Sequence, residues 1–291
     1  MIKTRPFLRY LIAAICVATV AHAQSRKNPT SKLYVADTVG DTQIDTGTEI
    51  DDLTKSSVYN AEGRIIETKA NSNASIVLSN GTGLYFDVDT RAEIKTFEQE
   101  AFRPSRSDVE DEPSISNTRV YVDHGVIGVS TSKLVAGSTM ICETSLATAF
   151  LRGRQAVVLA RDNLTVISMV QGDATVQAGP LDRGHLVRNK QQIIIRPGKP
   201  GEPYLIEIQD IPPGGSEDSE QWLEERVLVS DGARKLVYFE VQARAGTDGG
   251  ISLFDGTGGT STSGNEIVAV PVVPSTPTVQ TNVSPANLTN P

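Results

Sequence analysis

Apolar and polar residues alternate along most of this chain, and the alternation predicts strands. Leu84, Phe86 and Val88 alternate with Tyr85, Asp87 and Asp89, the pattern of a half-buried strand. Ser75 to Leu78 runs into Asn80-Gly81, a pair that supplies positive φ at low cost and predicts a tight turn. Asp162-Asn163 separates Ala156 to Ala160 from Leu164 to Val170 and predicts a hairpin. Gly172-Asp173 leads into Ala174 to Val176, Ile193 to Ile195 stops at Pro197-Gly198, and Tyr204, Ile206 and Ile208 alternate before Pro212-Pro213. The stretch RVYVDHGVIGVSTSK, Arg119 to Lys133, reads as strand, glycine turn at Gly125, strand. Many short strands at about ten-residue spacing predict an all-β sandwich, barrel or solenoid. Asn80, Gly81, Gly125, Gly153 and Gly172 are its expected structural turns.

Two segments interrupt the pattern. Residues 98–117 lack periodicity and carry mixed charge and two prolines, which predicts a long exposed loop. Arg103, Arg106, Asp108 and Glu110 make it the candidate binding loop. After Gly215 the period changes to helical. Ser216 or Ser219 can cap a helix whose first turn is acidic, Trp222, Leu223, Val227 and Leu228 form its apolar stripe, and Asp231-Gly232 ends it. Trp222 is expected to anchor that helix on the β core, and a strand is expected to follow within 216–245. From 246 to 291 the chain is rich in Gly, Ser, Thr and Pro and cannot bury enough apolar surface to offset chain entropy, so it reads as a flexible tail. Within it, Val268 to Val273 can add a strand to a sheet edge.

The first residues change the picture of where the chain acts. Lys3, Arg5 and Arg9 precede the apolar run Leu11 to Val20, and Ala21-His22-Ala23 is a small-x-small cleavage site. Residues 1–23 therefore read as a secretory signal peptide, too short to span as a helix. Ile15 before Cys16 does not fit a lipoprotein box. No later segment is apolar for long enough to cross the membrane, so the expectation is an exported protein, periplasmic or extracellular. The formal net charge is −8 over 291 residues, and more negative once the leader is removed. An acidic surface repels phosphate backbones, so nucleic acid is not an expected partner. Cys142 is the only cysteine after the leader, which excludes an intrachain disulfide and points to a buried thiol.

Candidate chemistry is sparse. Ser130-x-x-Lys133 matches the spacing of an acyl-transfer nucleophile and its base, but that motif needs a helical turn, and here it follows a β-branched run. His124 and His185 each neighbour a glycine and are expected at exposed turns rather than in a metal site. No paired C-x-x-C, H-x-x-x-H or phosphate loop is present, so no catalytic, metal or cofactor-binding residues are assigned, and no cofactor is expected. A hydrolase built on two carboxylates is the remote alternative.

The order of features over 63–197 resembles the FecR-type domain, the extracytoplasmic β domain of bacterial iron-siderophore signalling regulators. IIETKANSNASIVLSNGTGLYF is similar to that family's segment ending in s-D-G-s-x-l, with Asn80 where aspartate is common. VYVDHGVIGV is similar to its strand-Gly-strand unit, and CETSLATAFLRGRQAVV to its V-x-T-P…R-G-T stretch. LTVISMVQGDATVQAG and GHLVRNKQQIII resemble its closing strands. Ser145, Gln155 and Asn189 depart from the pattern, where proline, threonine and glycine are usual. The resemblance implies a FecR-like β-sandwich or solenoid-like domain over 24–215, one C-terminal helix and a disordered tail. It also implies an exported, non-catalytic module that binds or senses an envelope protein. A structural scaffold of the cell surface is the alternative. No cytoplasmic anti-sigma segment is expected ahead of an exported leader, so direct contact with a sigma factor is not expected. The partner and the oligomeric state are left open.

Overall fold

The structure is a computed structural model that describes residues 30–102, 110–179, 181–199, 201–243 and 265–271. The signal peptide expected at 1–23 lies outside them. In chain order the first strands are β1 (Lys32–Val39), β2 (Thr42–Asp45), β3 (Ile50–Asp52), β4 (Val58–Asn60), β5 (Arg64–Thr68) and β6 (Asn73–Leu78). There follow β7 (Gly83–Phe86), β8 (Thr90–Gln99), β9 (Ser116–Ser130), β10 (Thr139–Glu143), β11 (Thr148–Leu151) and β12 (Gln155–Arg161). The series closes with β13 (Leu164–Gln171), β14 (Ala174–Gln177), β15 (His185–Val187), β16 (Gln191–Arg196) and β17 (Leu205–Asp210). After them come the helix α1 (Glu220–Lys235) and a hairpin, β18 (Val237–Ala243) with β19 (Asn265–Pro271).

The 17-stranded sheet is mostly antiparallel and open, and it folds into two stacked layers. One layer runs β4-β1-β6-β7-β9-β12-β13-β16-β17. The other runs β3-β2-β5-β8-β9-β10-β11-β14-β15. The chain alternates between layers as it advances, in the manner of a solenoid. Strand β9 belongs to both: Asn117 to His124 pair with β8, and Gly125 to Ser130 pair with β12.

Gly125 is thus not the hairpin turn its sequence suggests. The strand continues through it, and φ +95° at this residue bends the ribbon from one layer into the other. The Thr90 hydroxyl, the Thr90 Cα and the Asp89 carbonyl oxygen together fill the space a Cβ would need. A fifteen-residue strand with a kink is favoured over two short strands because both halves find partners on both sides.

Between the layers lies one apolar core, which includes Ile44, Ile66, Phe86, Ile94, Val158 and Ile193. The layers differ on their outer faces. In β11 and β14 burial alternates strictly, as expected for a face left to water. In β12 and β13 consecutive residues are buried, because α1 covers the outer face of that layer. Leu223 and Val227 of α1 pack there on Val126, Val157, Leu159 and Val166, with Trp222 at the margin, and Ala233 packs on Tyr34 and Val77. Trp222 anchors the helix as the sequence leads one to expect.

The helix runs past Asp231-Gly232, where the sequence predicts its end, to Lys235. Asp231 makes ion pairs with Arg234 and Lys235 one turn on, and Ala233 and Arg234 are buried against the sheet, so docking outweighs the helix cost of one glycine, about 1 kcal/mol. Val88, expected within the strand of Leu84 and Phe86, lies beyond it and is exposed. The predicted loop 98–117 is shorter than expected. Gln99 and Ser116 are buried strand residues, and Glu112 is buried at 4% exposure. Residues 265–271, inside the segment that reads as a flexible tail, pair with β18 in a separate two-stranded sheet; the strand expected at Val268 to Val273 thus overlaps β19 up to Pro271 but adds to no edge of the 17-stranded sheet. The rest of that segment lies outside the described residues.

Candidate interaction surfaces

Chemistry-bearing side chains are mostly occupied in holding elements together. Ser130, at the end of β9, donates from Oγ to Asp231 Oδ1 of α1 at 3.0 Å. Burial opposes the charge on Asp231, but hydrogen bonds from Lys235 and Arg234 outweigh it and hold the carboxyl below its ordinary value. Lys133 is exposed, and its backbone pairs with Glu110 and Glu112. Ser130 and Lys133 therefore serve different neighbours, and the S-x-x-K spacing forms no dyad. Cys142 is buried, and burial pushes its thiol up to about 12, which keeps it protonated and inert.

The predicted turn residues separate by position. Asn80 and Gly81 form the β6–β7 turn, with Gly81 at φ +85°. Asn80 is buried rather than exposed. Its Nδ2 donates to Ser116 Oγ at 2.9 Å and towards Glu112 Oε1 at 3.4 Å. Glu112 also accepts from Ser116 Oγ and from the Val135 N–H at 3.0 Å. This network pins the return of the 98–117 segment to the β6–β7 turn. Gly153 and Gly172 sit at the layer crossings between β11 and β12 and between β13 and β14, packed backbone to backbone.

Of the candidate binding loop, Arg103, Arg106 and Asp108 lie outside the described residues. Glu110 is exposed and pairs with Arg154 Nη2 at 2.5 Å, a bond that holds its carboxyl below the usual range. His124 is an exposed residue of β9 beside Asp123, at 3.2 Å, and His185 opens β15, 3.2 Å from Asp182. His124 lies on the central strand and His185 on an edge strand, and the two share no ligand set among the described residues. Among the described residues no group of three His, Cys, Asp or Glu side chains is placed to hold a metal ion, and no helix is long and apolar enough to cross a membrane.

A shallow groove of about 430 Å³ lies where β9 bends beneath the start of α1. Asp87, His124, Arg161, Glu217 and Trp222 line it. Two ion pairs border it: Arg161 with Glu217 at 2.5 Å, and Asp87 with Arg226, which lies 3.4 Å over the Trp222 ring. These contacts clamp the helix to the sheet.

The ends of the two layers are different. Strands β3, β4, β15 and β17 each have a ladder partner on one side only among the described residues. They carry exposed apolar side chains: Ile50 at 67%, Val58 at 42%, Leu186 at 47%, Leu205 at 62% and Ile208 at 41%. Tyr59 at one end, and Tyr204 with Ile206 at the other, pack on the core yet are only half-buried. Among the described residues the core is thus open at both ends, and each open end is bordered by two unpaired strand edges. Sequence reasoning missed these edges, because alternation marks strands without saying which lack a neighbour.

No family model matches this sequence, and no curated protein matches it. Solved structures similar to it include two crystal structures of a proposed anti-sigma factor from Parabacteroides distasonis ATCC 8503, at 1.65 and 2.50 Å resolution. They share 17% and 18% identity with this chain, cover 50% of it, and superpose with a TM-score of 0.38. The match spans 60% of the length of each of those chains.

Proposed function

We propose that this chain is an exported, non-catalytic protein-binding module of the bacterial cell envelope, and that it binds by adding a partner's strand to its open sheet edges. The observation that carries the reading is the pair of open ends, where single-sided strands stand beside exposed Ile50, Val58, Leu186, Leu205 and Ile208. Unpaired backbone groups supply affinity and the flanking apolar positions supply selectivity. The signal-peptide pattern at 1–23 and the FecR-like order of motifs over 63–197 support export and a binding or sensing role. The groups that would serve a hydrolase are engaged in packing: Ser130 on Asp231, Glu112 on Asn80 and Ser116, Asp87 on Arg226.

Photo-cross-linking in intact cells tests this. A photoreactive side chain replaces Leu205 or Ile50 at the open ends, or Leu228 on the exposed face of α1 as a control. The expected result is a discrete protein adduct from 205 and 50, recovered from the envelope fraction, and none from 228. Adducts only from 228, no adduct at all, or a chain retained in the cytoplasm would overturn the reading.

A further inference from the structure

We propose that the occupant of these edges is a second copy of the same chain, joined head to tail. In this arrangement β15 and β17 of one copy meet β3 and β4 of the next. The inference rests on the edge-binding reading above and specifies its partner.

Strand direction comes first. From β3 to β9 successive neighbours in their layer are antiparallel, β9 and β10 are parallel, and the pairs from β10 to β15 are antiparallel again. Strands β3 and β15 therefore run in opposite directions. A copy displaced along the layer brings them together as an antiparallel pair. In the helix-covered layer every pairing is antiparallel, so β4 and β17 run the same way and meet as a parallel pair, as β9 and β10 already do.

Side-chain faces agree as well. Leu186 is opposite half-buried Thr175 and Ile50 is opposite half-buried Asp45, so both point away from the core. In the other layer Leu205 and Val58 lie on the outer face, while Ile206, Ile208 and Tyr59 lie on the core face. Docking would set outer apolar residues against outer ones and close the core from both sides. A contact between two different surfaces of the same molecule does not stop at two copies unless its rotation closes a ring.

Charge selects the orientation. The segment 45–52 around β3 holds Asp45, Glu49, Asp51 and Asp52 and no basic residue. The segment 183–188 around β15 holds Arg183 and Arg188, both exposed, and no acidic residue. The neighbouring Asp182 is turned back into its own loop, where it accepts from the Ala178 N–H at 2.8 Å. With Leu186 opposite Ile50 in the antiparallel pair, Arg183 comes level with Leu53 and Arg188 with Thr48, so both arginines lie along the acidic segment rather than directly across from one carboxylate. Pairing β3 with β3 would bring acid to acid, and pairing β15 with β15 would bring arginine to arginine, which disfavours a symmetric dimer through that layer.

Sedimentation velocity of the purified chain tests the proposal. The wild type is expected to show a concentration-dependent series of species above the monomer. One variant blocks the first end (Ile50→Lys with Val58→Lys), and another blocks the second (Leu205→Lys with Ile208→Lys). Each alone should be monomeric, and an equimolar mixture should form a heterodimer and nothing larger, because each chain keeps one intact end. A symmetric interface would instead let the variant that keeps that end dimerise by itself, or stop the wild type at a dimer, and either result overturns the proposal. A second set avoids apolar changes: Asp51→Lys with Asp52→Lys, and Arg183→Glu with Arg188→Glu. Each pair should lower association, and combining both pairs in one chain should restore it. Failure of that restoration overturns the charge matching and the proposal with it. A wild type monomeric at all concentrations also overturns it. If edge cross-links then still capture a different envelope protein, the binding reading stands, and if they capture nothing both fall.

Discussion

Asp218 stands where the chain turns into α1, with φ +63° and a partly buried carboxyl. Burial raises its pKa above the ordinary 3.8, and the neighbouring Glu217 charge adds to the rise. The folded state thus holds this proton more tightly than the unfolded chain does. Stability contributed at this site is present at low pH and is lost as pH rises from 3.8 through the folded value. Asp218→Asn removes the charge and keeps a side chain that tolerates positive φ. The variant should melt about 1–2 °C higher than wild type at neutral pH, with no difference below the carboxylate range. Equal melting temperatures at neutral pH would show that Asp218 is solvated well enough to carry its charge without cost.

Helix α1 approaches its sheet closely because glycines lie beneath it. Gly83 on β7 and Gly128 on β9 face the helix backbone at Ser230 and Arg226, one turn apart. A Cβ built on Gly128 would stand 2.8 Å from the Arg226 carbonyl oxygen, and a backbone atom cannot swing aside. Gly128→Ala should cost about 1–3 kcal/mol in denaturant unfolding, as overpacking does. An unchanged midpoint would mean the helix floats on the sheet rather than seating in it. The same docking explains why the helix ignores Gly232: Ala233 and Arg234 are already committed to the sheet.

At the scale of the molecule, the last hairpin is not hydrogen-bonded into the double layer, although Val237 at its start packs on Tyr34 and Val77. Strands β18 and β19 pair with each other in a separate two-stranded sheet. Ending the chain after Ala243 should therefore leave the main unfolding transition within about 2 °C of wild type. A larger drop would place stabilising contacts of the layers beyond that point. The layers instead meet their structural limit at their ends, where strand addition stops before the core is closed. An acidic protein with open sheet edges avoids indiscriminate stacking through like-charge repulsion, and the proposed contact would set the acidic segment at β3 against the arginines beside β15.

The sequence by itself determined the all-β class, the β6–β7 turn at Asn80-Gly81, the Asp162-Asn163 hairpin, the docking role of Trp222 and the burial of Cys142. These depend on local chemistry: alternation reports a face, Gly and Asn report permitted φ, and a single apolar cysteine reports a core. What only the tertiary structure decided depends on neighbours distant in sequence. Gly125 became a bend within β9 because β8 and β12 pair with its two halves. Ser130 became a helix anchor because Asp231, 101 residues away, lies against it. Glu112 left an apparently solvated loop for the interior because Asn80 and Ser116 satisfy it there. The edges of β3, β4, β15 and β17 that lack a ladder partner among the described residues were invisible for the same reason: alternation shows that a residue lies in a strand, and only the assembled sheet shows which neighbours it has.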